Sequence, residues 1–297
     1  MKNQLFLFIA LLLVPILLTE VPSVNFGQSV FAEEEKKTRR VPAMRERTYK
    51  ALSEAQLLID PDSVPVEEGE ERPNIQADPQ AAVDLLNDLR SKRGLNSYEL
   101  AQIWNTLAFA YYTLGDNQGT INAYKEVLNQ GTITEALELS SLRALFQLYF
   151  QAEDYRQSLQ YIDRYLALKT TPDANITFLK ATAYYQLEEF RNSLKYALEV
   201  EQIALADGKE VKENWWYLQV VLYNELKDYD NVIAVLEKLI VKYPKKQYWM
   251  HLAGMYAEKD WEDKALSAYY AAYHQGLLTR ERSEEHTSEL QSPDHLV

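Results

Sequence analysis

The chain has 297 residues, a formal net charge of −13 and no cysteine. Without cysteine it has no disulfides, thiolate metal ligands or cysteine nucleophiles, and its acidity makes it a poor candidate for binding along a nucleic-acid backbone. Only 9 glycines and 10 prolines accompany 21 tyrosines, and so few helix-breaking residues favour long helices.

Residues 1–32 have the pattern of a secretory signal peptide. Lys2 precedes an apolar run from Leu5 to Leu18, which is shorter than the roughly 20 residues that a membrane-spanning helix needs. Ala32, which three glutamates follow, ends a stretch typical of a cleavage site. We therefore expect export, cleavage after Ala32 and a soluble mature protein, with an uncleaved membrane anchor as the alternative.

A basic arm is predicted next, at residues 33–43, and its cations continue as far as Lys50. Two interpretations are open. In the first, the arm attaches the protein peripherally to an anionic membrane surface or to an acidic partner. In the second, which we favour, it pairs with the acidic insertion of the same chain.

Residues 44–95 predict a degenerate helical hairpin. Its first helix should begin at about Ala43, and its second should cover residues 80–92, with Gly94 at the position of a helix-ending glycine. The intervening residues 60–79 are rich in proline and glutamate and bury too little apolar surface to fold. We expect them to form a disordered acidic insertion.

Five tyrosines recur through residues 96–278 at intervals of 33 to 39 residues. An acidic residue follows each tyrosine after four or five positions, where the chain should turn into a second helix. A period in the mid-thirties with this internal pattern predicts stacked helical hairpins instead of one globular core. The tyrosines are Tyr111, Tyr149, Tyr184, Tyr223 and Tyr256, and the acidic residues are Asp116, Asp154, Glu189, Asp228 and Asp260.

Polar residues mark the starts of the first two of these hairpins. Asn96 with Glu99, and Thr132 with Glu135, have the spacing of capping boxes, in which two side chains bond reciprocally to the first backbone N–H groups of a helix. Apolar residues then recur at helical spacing in each segment. Because neither helix of a hairpin can bury its apolar stripe alone, the two should pack antiparallel and the hairpins should stack.

The five units resemble tetratricopeptide repeats. Polar residues replace motif residues at some core positions: Lys180 and Gln219 replace leucine, and Ser158 and Ser193 replace alanine. The resemblance implies an all-α solenoid of five stacked antiparallel hairpins that follows a right-handed superhelix. The first unit carries the motif at Trp104, Leu107, Ala108, Tyr111, Gly115, Asp116 and Ile121.

A narrower resemblance is to exported repeat proteins that Gram-negative bacteria encode beside TonB–ExbB–ExbD energy-transduction genes. It depends on the basic stretch 38–45 and on the stretches 214–217, 225–229 and 243–249. It implies a periplasmic, non-catalytic scaffold that binds components of a TonB system. The alternatives are an adaptor for envelope assembly or cell-wall enzymes, and the repeat region of an enzyme whose catalytic domain is missing.

No motif in the sequence indicates catalysis or a cofactor. There is no glycine-rich phosphate loop, and the two histidines before the tail, His251 and His274, have no carboxylate at metal-ligand spacing. Glu188 and Glu189 form a carboxylate pair in a turn, and we interpret them as solvated residues. We therefore predict no enzyme activity, no cofactor and no metal site.

In tetratricopeptide arrays the first helix of each unit lines the concave groove, so the resemblance points to twelve candidate peptide-binding residues. They combine aromatic side chains and amides with one cation, Arg143, and this mixture suits an extended or helical peptide. Phe109 replaces an asparagine of the family's carboxylate clamp, which argues against capture of a C-terminal carboxylate. For each aromatic residue the alternative role is packing between repeats. The candidates are Asn105, Phe109, Tyr112, Arg143, Gln147, Phe150, Phe178, Thr182, Tyr185, Tyr217, Val221 and Asn224.

Residues 279–297 are expected to be disordered or foreign to the natural protein. Residues 282–292 match the in-frame translation of a common sequencing-library adapter. We therefore expect residues 282–297 to derive from the adapter and the natural chain to be cut off near Glu281. No function is assigned to this tail.

Overall fold

The computed structural model describes residues 39–63 and 76–278. Within them it has twelve α-helices, one short 3₁₀ turn over Pro61–Ser63 and no β-strand. The predicted signal peptide, the first part of the arm, most of the acidic insertion and the tail lie outside the described residues. The helices are α1 Glu46–Ile59, α2 Pro79–Ser91, α3 Ser97–Thr113, α4 Asn117–Asn129, α5 Glu135–Gln151, α6 Tyr155–Leu168, α7 Ala174–Gln186, α8 Phe190–Ala206, α9 Glu213–Glu225, α10 Tyr229–Lys242, α11 Lys246–Glu258 and α12 Glu262–His274.

The chain divides into two compact units, of which unit 1 ends at Thr170 and unit 2 begins at Thr171. In unit 1, α1 packs on α2, α3 on α4 and α5 on α6, and successive hairpins meet through α2–α3 and α4–α5. In unit 2 the pairs are α7–α8, α9–α10 and α11–α12, joined through α8–α9 and α10–α11. Each unit is therefore an all-α stack of helical hairpins, as the sequence predicts. The right-handed superhelical path of the whole array stays a prediction.

Apolar side chains from successive hairpins pack together in buried clusters within each unit. In unit 1, Leu86 of α2 is fully buried with Ile103 and Leu107 of α3. In unit 2, Leu236 of α10 and Leu252 of α11 are buried in the same way. Each such side chain contributes roughly 1.5–3 kcal/mol through burial. A hairpin therefore depends on its neighbour to cover its apolar stripe.

The predicted acidic insertion is shorter in the structure at both ends. Residues Pro61–Ser63 form the 3₁₀ turn, and Asp78 caps α2 by accepting a hydrogen bond from the backbone N–H of Ala81. The first helix begins at Glu46 instead of Ala43 because the backbone of Arg45 is extended. Gly94 has a positive φ of 84°, but the helix ends earlier, at Ser91, with Lys92 as an extended C-cap, so Gly94 lies in the connection to α3 instead of ending the helix.

The five recurrent tyrosines mark the last turn of each first helix. The backbone carbonyl of each tyrosine accepts a hydrogen bond of 2.8 or 2.9 Å from the N–H group five residues later. The residue four positions after the tyrosine has a positive φ, between 58° and 76°. This arrangement is the Schellman motif, which ends a helix and satisfies its last carbonyls. The positive-φ residues are Gly115, Glu153, Glu188, Lys227 and Asp260.

The last acidic residue in this series occupies a different position from the other four. In the first four units the acidic residue follows the tyrosine by five positions and occupies the N-cap of the second helix. In the fifth unit it follows by only four, so Asp260 takes the positive-φ position. Trp261 then occupies the N-cap and makes no side-chain capping bond. A shift of one residue is enough to move a side chain from a cap to a turn.

One predicted capping box is present and the other is wrong. Asn96 accepts a hydrogen bond from the N–H of Glu99, whose side chain accepts one from the N–H of Asn96. Before α5, however, the cap is Thr134, whose hydroxyl accepts a hydrogen bond from the N–H of Leu137. Thr132 lies two residues too early, because α5 begins at Glu135.

Polar residues at predicted core positions have partners in the structure. The buried hydroxyl of Ser158 donates a hydrogen bond to the carbonyl of Phe146, 2.9 Å away, and Ser193 donates one to Ala181 at 2.7 Å. Lys180 places its ammonium group 3.9 Å from the ring centroid of Tyr196, a cation–π contact. These contacts explain why the departures from the repeat motif do not disrupt the fold.

The repeated turn gives a first prediction, since Gly115 is the only glycine among the five positive-φ residues. Replacing Lys227, which is exposed, by glycine should raise the free energy of unfolding by about 0.5–1 kcal/mol, because a side chain is strained at this φ. Gly115→Ala should lower it by about 1 kcal/mol, although a Cβ atom at Gly115 would meet nothing within 4 Å. Urea unfolding curves would measure both. A Lys227→Gly variant that is less stable than the parent would contradict the argument.

Candidate functional site

In unit 1 all six predicted peptide-binding residues keep part of their surface accessible. They lie one turn apart along α3 and at the matching positions of α5. Tyr112 is 42 % exposed, and the other five are half-buried. We call this set the unit 1 face: Asn105, Phe109, Tyr112, Arg143, Gln147 and Phe150.

Two residues of the unit 1 face are oriented by aromatic side chains of α6. Arg143 donates a hydrogen bond of 2.8 Å to the hydroxyl of Tyr165, and its guanidinium carbon lies 5.6 Å from the centre of that ring. The ring of Phe150 meets Tyr155 edge-on, with centroids 5.1 Å apart. The single predicted cation is therefore held in place by α6.

In unit 2 the structure buries four of the six predicted residues. Phe178 and Tyr185 are each 8 % exposed, and Thr182 and Val221 are also buried. Phe178 is covered because α9 brings Trp215 against it, with ring centroids 6.3 Å apart. These four side chains therefore pack mainly between repeats and present little surface to a partner.

The other two predicted residues of unit 2, Tyr217 and Asn224, keep part of their surface accessible. Tyr217 is half-buried and packs against Tyr248 with ring centroids 5.9 Å apart, while Asn224 is exposed. Both therefore remain candidates for contact with a partner. Whether any of the twelve residues binds a peptide stays a prediction.

Sequence reasoning did not connect Glu188 or Glu225 with Tyr185. Burial, and then the nearby negative charge of Glu225, raise the pKa of Tyr185, with Tyr217 and Glu188 acting in the same direction. Both glutamates are exposed. In the sequence, Glu225 comes two residues after the recurrent Tyr223, and Glu188 comes four residues after the recurrent Tyr184.

The described part of the basic arm pairs with the repeats. Arg39 forms an ion pair of 2.5 Å with Glu138 of α5. Arg45 bonds to Glu99 of α3 through its backbone N–H and its guanidinium group. The carbonyl of Ala43 accepts a hydrogen bond of 3.0 Å from the Asn96 side chain. These contacts hold residues 39–45 across the starts of α3 and α5, and they support the self-pairing interpretation of the arm, with different acidic partners.

The described residues contain no group of three His, Cys, Asp or Glu side chains arranged to hold a metal ion. His251 of α11 is half-buried, and this burial lowers its pKa. None of the helices within residues 39–63 and 76–278 is long and apolar enough to cross a membrane.

Comparisons with known proteins find similarity to solved structures at low sequence identity. No family model matches the sequence, and no curated protein matches it. The crystal structure of a MamA protein is 20 % identical, with 59 % of this chain and 91 % of that chain covered and a TM-score of 0.47. MamA from Desulfovibrio magneticus RS-1 is 16 % identical over 59 % and 94 % of the two chains, with a TM-score of 0.45.

A third solved structure, of YrrB, is described as a TPR protein with an unusual peptide-binding site. It is 11 % identical to this chain over 70 % of it and 99 % of YrrB, with a TM-score of 0.47. At such scores the assignment of the fold depends on the hairpins and the repeated turn of this chain itself. Over the described residues the chain is an all-α protein of stacked helical hairpins whose first helices end in a repeated turn.

Proposed function

We propose that the protein is a non-catalytic scaffold that binds a protein or peptide partner on the faces of its first helices. The observation that supports this most is the unit 1 face, where Phe109, Tyr112 and Phe150 stay accessible beside the amides of Asn105 and Gln147. Aromatic side chains supply large contact areas at low conformational cost. Amides can bond to a peptide backbone without demanding a particular partner sequence.

We further propose that the scaffold acts in the periplasm as part of a TonB-type energy-transduction system. The signal-peptide pattern of residues 1–32 and the resemblance of the stretches 214–217 and 243–249 to the Gram-negative group support this proposal. Fractionation of cells that express the full chain tests the location. Recovery of the protein in the cytoplasm, with its first 32 residues still attached, would refute the periplasmic role.

Site-specific photo-crosslinking tests the binding function. A photoreactive phenylalanine analogue would replace Tyr112 or Phe150 in cells, and Tyr49 of α1, which is 56 % exposed, would serve as the control position. We expect the same crosslinked protein at Tyr112 and Phe150 and none at Tyr49, because only the first two lie on the unit 1 face.

The identity of the crosslinked protein separates the two levels of the proposal. TonB, ExbB or ExbD in the product would support the specific role. A different protein captured at both face positions would remove the TonB role and keep the scaffold. The absence of any product at Tyr112 and Phe150, with the variants folded, would refute binding on this face.

A further inference from the structure

α12 is the last helix of the described residues, so no further hairpin stacks on it there. We propose that α12 binds α12 of a second copy of the chain through a stripe of four exposed residues, here called the α12 stripe: Asp263, Ser267, Tyr270 and His274. This inference concerns self-association and does not depend on the partner proposed for the unit 1 face.

Two earlier second helices show which position faces the next hairpin. Lys125 of α4 and Glu237 of α10 hold the same position, nine residues after the N-cap of their helix. The ammonium group of Lys125 lies 5.4 Å from the ring centre of Tyr149 in α5. Glu237 accepts a hydrogen bond of 2.7 Å from the Tyr256 hydroxyl of α11. In both cases the side chain at this position contacts the recurrent tyrosine of the following first helix.

Two residues of the α12 stripe hold positions that face the next hairpin. Tyr270 comes nine residues after the N-cap Trp261 and is 50 % exposed. Asp263 comes two residues after that cap, and its counterpart in α10 is Asp230, which forms an ion pair of 2.6 Å with Lys259 at the end of α11. The α12 stripe therefore continues the surface that joins successive hairpins in the rest of the unit.

The spacing of the α12 stripe makes it complementary to itself. Its residues follow one another by four, three and four positions, which places them on one side of a helix. The order of these intervals is the same in both directions along the helix. When two copies of α12 pack antiparallel about a twofold axis, Asp263 of each copy meets His274 of the other, and Ser267 meets Tyr270.

The residues that this symmetry pairs have matching chemistry. A carboxylate accepts a hydrogen bond from an imidazole N–H, and two hydroxyl groups can bond to each other. A parallel arrangement would instead bring Asp263 against Asp263, which repulsion between like charges disfavours. The Tyr270 ring adds apolar contact area at low conformational cost. Because one helix from each copy gives a small interface, we expect a weak dimer, with a dissociation constant of about 10 to about 100 µM.

Sedimentation equilibrium of the chain, purified from cells that express it in full, tests the association. We expect monomer at about 1 µM and mostly dimer at about 200 µM. Tyr270→Glu should remain monomeric over this range, because the twofold axis brings two new carboxylates together. Tyr229→Glu is the control, since Tyr229 of α10 is 39 % exposed and lies outside the stripe, and it should dimerise like the parent. A parent chain that stays monomeric, or a Tyr270→Glu variant that dimerises normally, would overturn the inference.

Charge reversal tests the twofold pairing itself. Asp263→Lys and His274→Asp should each weaken the dimer about tenfold, because every dimer contains the altered pair twice. The variant that combines both substitutions restores opposite charges across the interface and should dimerise within about threefold of the parent. Glu262→Lys, the matched control, makes the same charge change one residue outside the stripe and should weaken the dimer less than about twofold. With all variants folded by circular dichroism, a combined variant that stays as weak as the single ones would refute the pairing, and so would equal weakening by Glu262→Lys and Asp263→Lys.

Discussion

Glu99→Gln is expected to lower the free energy of unfolding of unit 1 by about 2–3 kcal/mol, because a neutral amide cannot accept all the charge-assisted hydrogen bonds that the buried carboxylate receives. The carboxylate of Glu99 is fully buried. It accepts hydrogen bonds from the Arg45 guanidinium at 2.9 Å, from the Thr48 hydroxyl at 2.8 Å and from the N–H of Asn96 at 3.0 Å. The first hairpin would therefore lose its polar anchor on α3.

Hydrogen exchange over α1 and α3 is the appropriate measurement, since a chain of two units need not unfold in a single step. Glu138→Gln is the matched control, because it removes the partner of Arg39, whose side chain is 46 % exposed. That pair should contribute less than about 1 kcal/mol. Similar losses of protection in the two variants would mean that Glu99 acts only as one more surface charge.

The same carboxylate gives this prediction a pH dependence. Burial by itself would raise the pKa of Glu99, but hydrogen bonds from Arg45, Asn96 and Thr48 outweigh it and hold the pKa at about 2, below the ordinary value of 4.5. Because the folded pKa is the lower one, the stabilisation is complete above about pH 4.5 and is lost as the pH falls towards 2. The difference in protection between the parent and Glu99→Gln should shrink over that range. A difference that stays constant to pH 2 would contradict the assignment.

The period of the sequence was sufficient to predict the hairpins but not the contacts between distant residues. Tyr111 and its four counterparts identify a repeated backbone turn, which is local and therefore visible in the sequence. The bonds between Arg45 and Glu99 join residues 54 positions apart. They depend on how the first hairpin docks on α3, and no periodic pattern encodes that docking. The arm was accordingly expected to pair with the acidic insertion.

The solvent exposure of single side chains in the candidate site could likewise not be predicted from the repeat pattern. Tyr112, Phe150 and Tyr185 occupy the same position of the repeat, one residue after the recurrent tyrosine. Tyr112 is 42 % exposed and Tyr185 only 8 %. Their exposure differs because it depends on which side chains the neighbouring helices bring against each ring. A repeat motif predicts where a residue lies on its helix, whereas solvent exposure also requires knowledge of the helix beside it.

Tyr248→Ala is expected to destabilise unit 2 by about 4 kcal/mol, because it removes a large side chain that is only 1 % exposed. The ring packs among buried residues of α10 and α11, including Leu236 and Leu252. Tyr270 of α12 is 50 % exposed, and Tyr270→Ala, the control truncation, should cost less than about 0.5 kcal/mol. Urea unfolding of the two variants would measure the difference.

Tyr248→Phe divides that effect between packing and hydrogen bonding. The Tyr248 hydroxyl donates a hydrogen bond of 2.5 Å to Glu213, which also receives one of 2.7 Å from Lys245. The phenylalanine keeps the ring, and Lys245 still compensates the charge of Glu213, so the cost should be about 1 kcal/mol. Equal destabilisation by the two substitutions would assign the stability to the hydrogen bond instead of the packing of the ring.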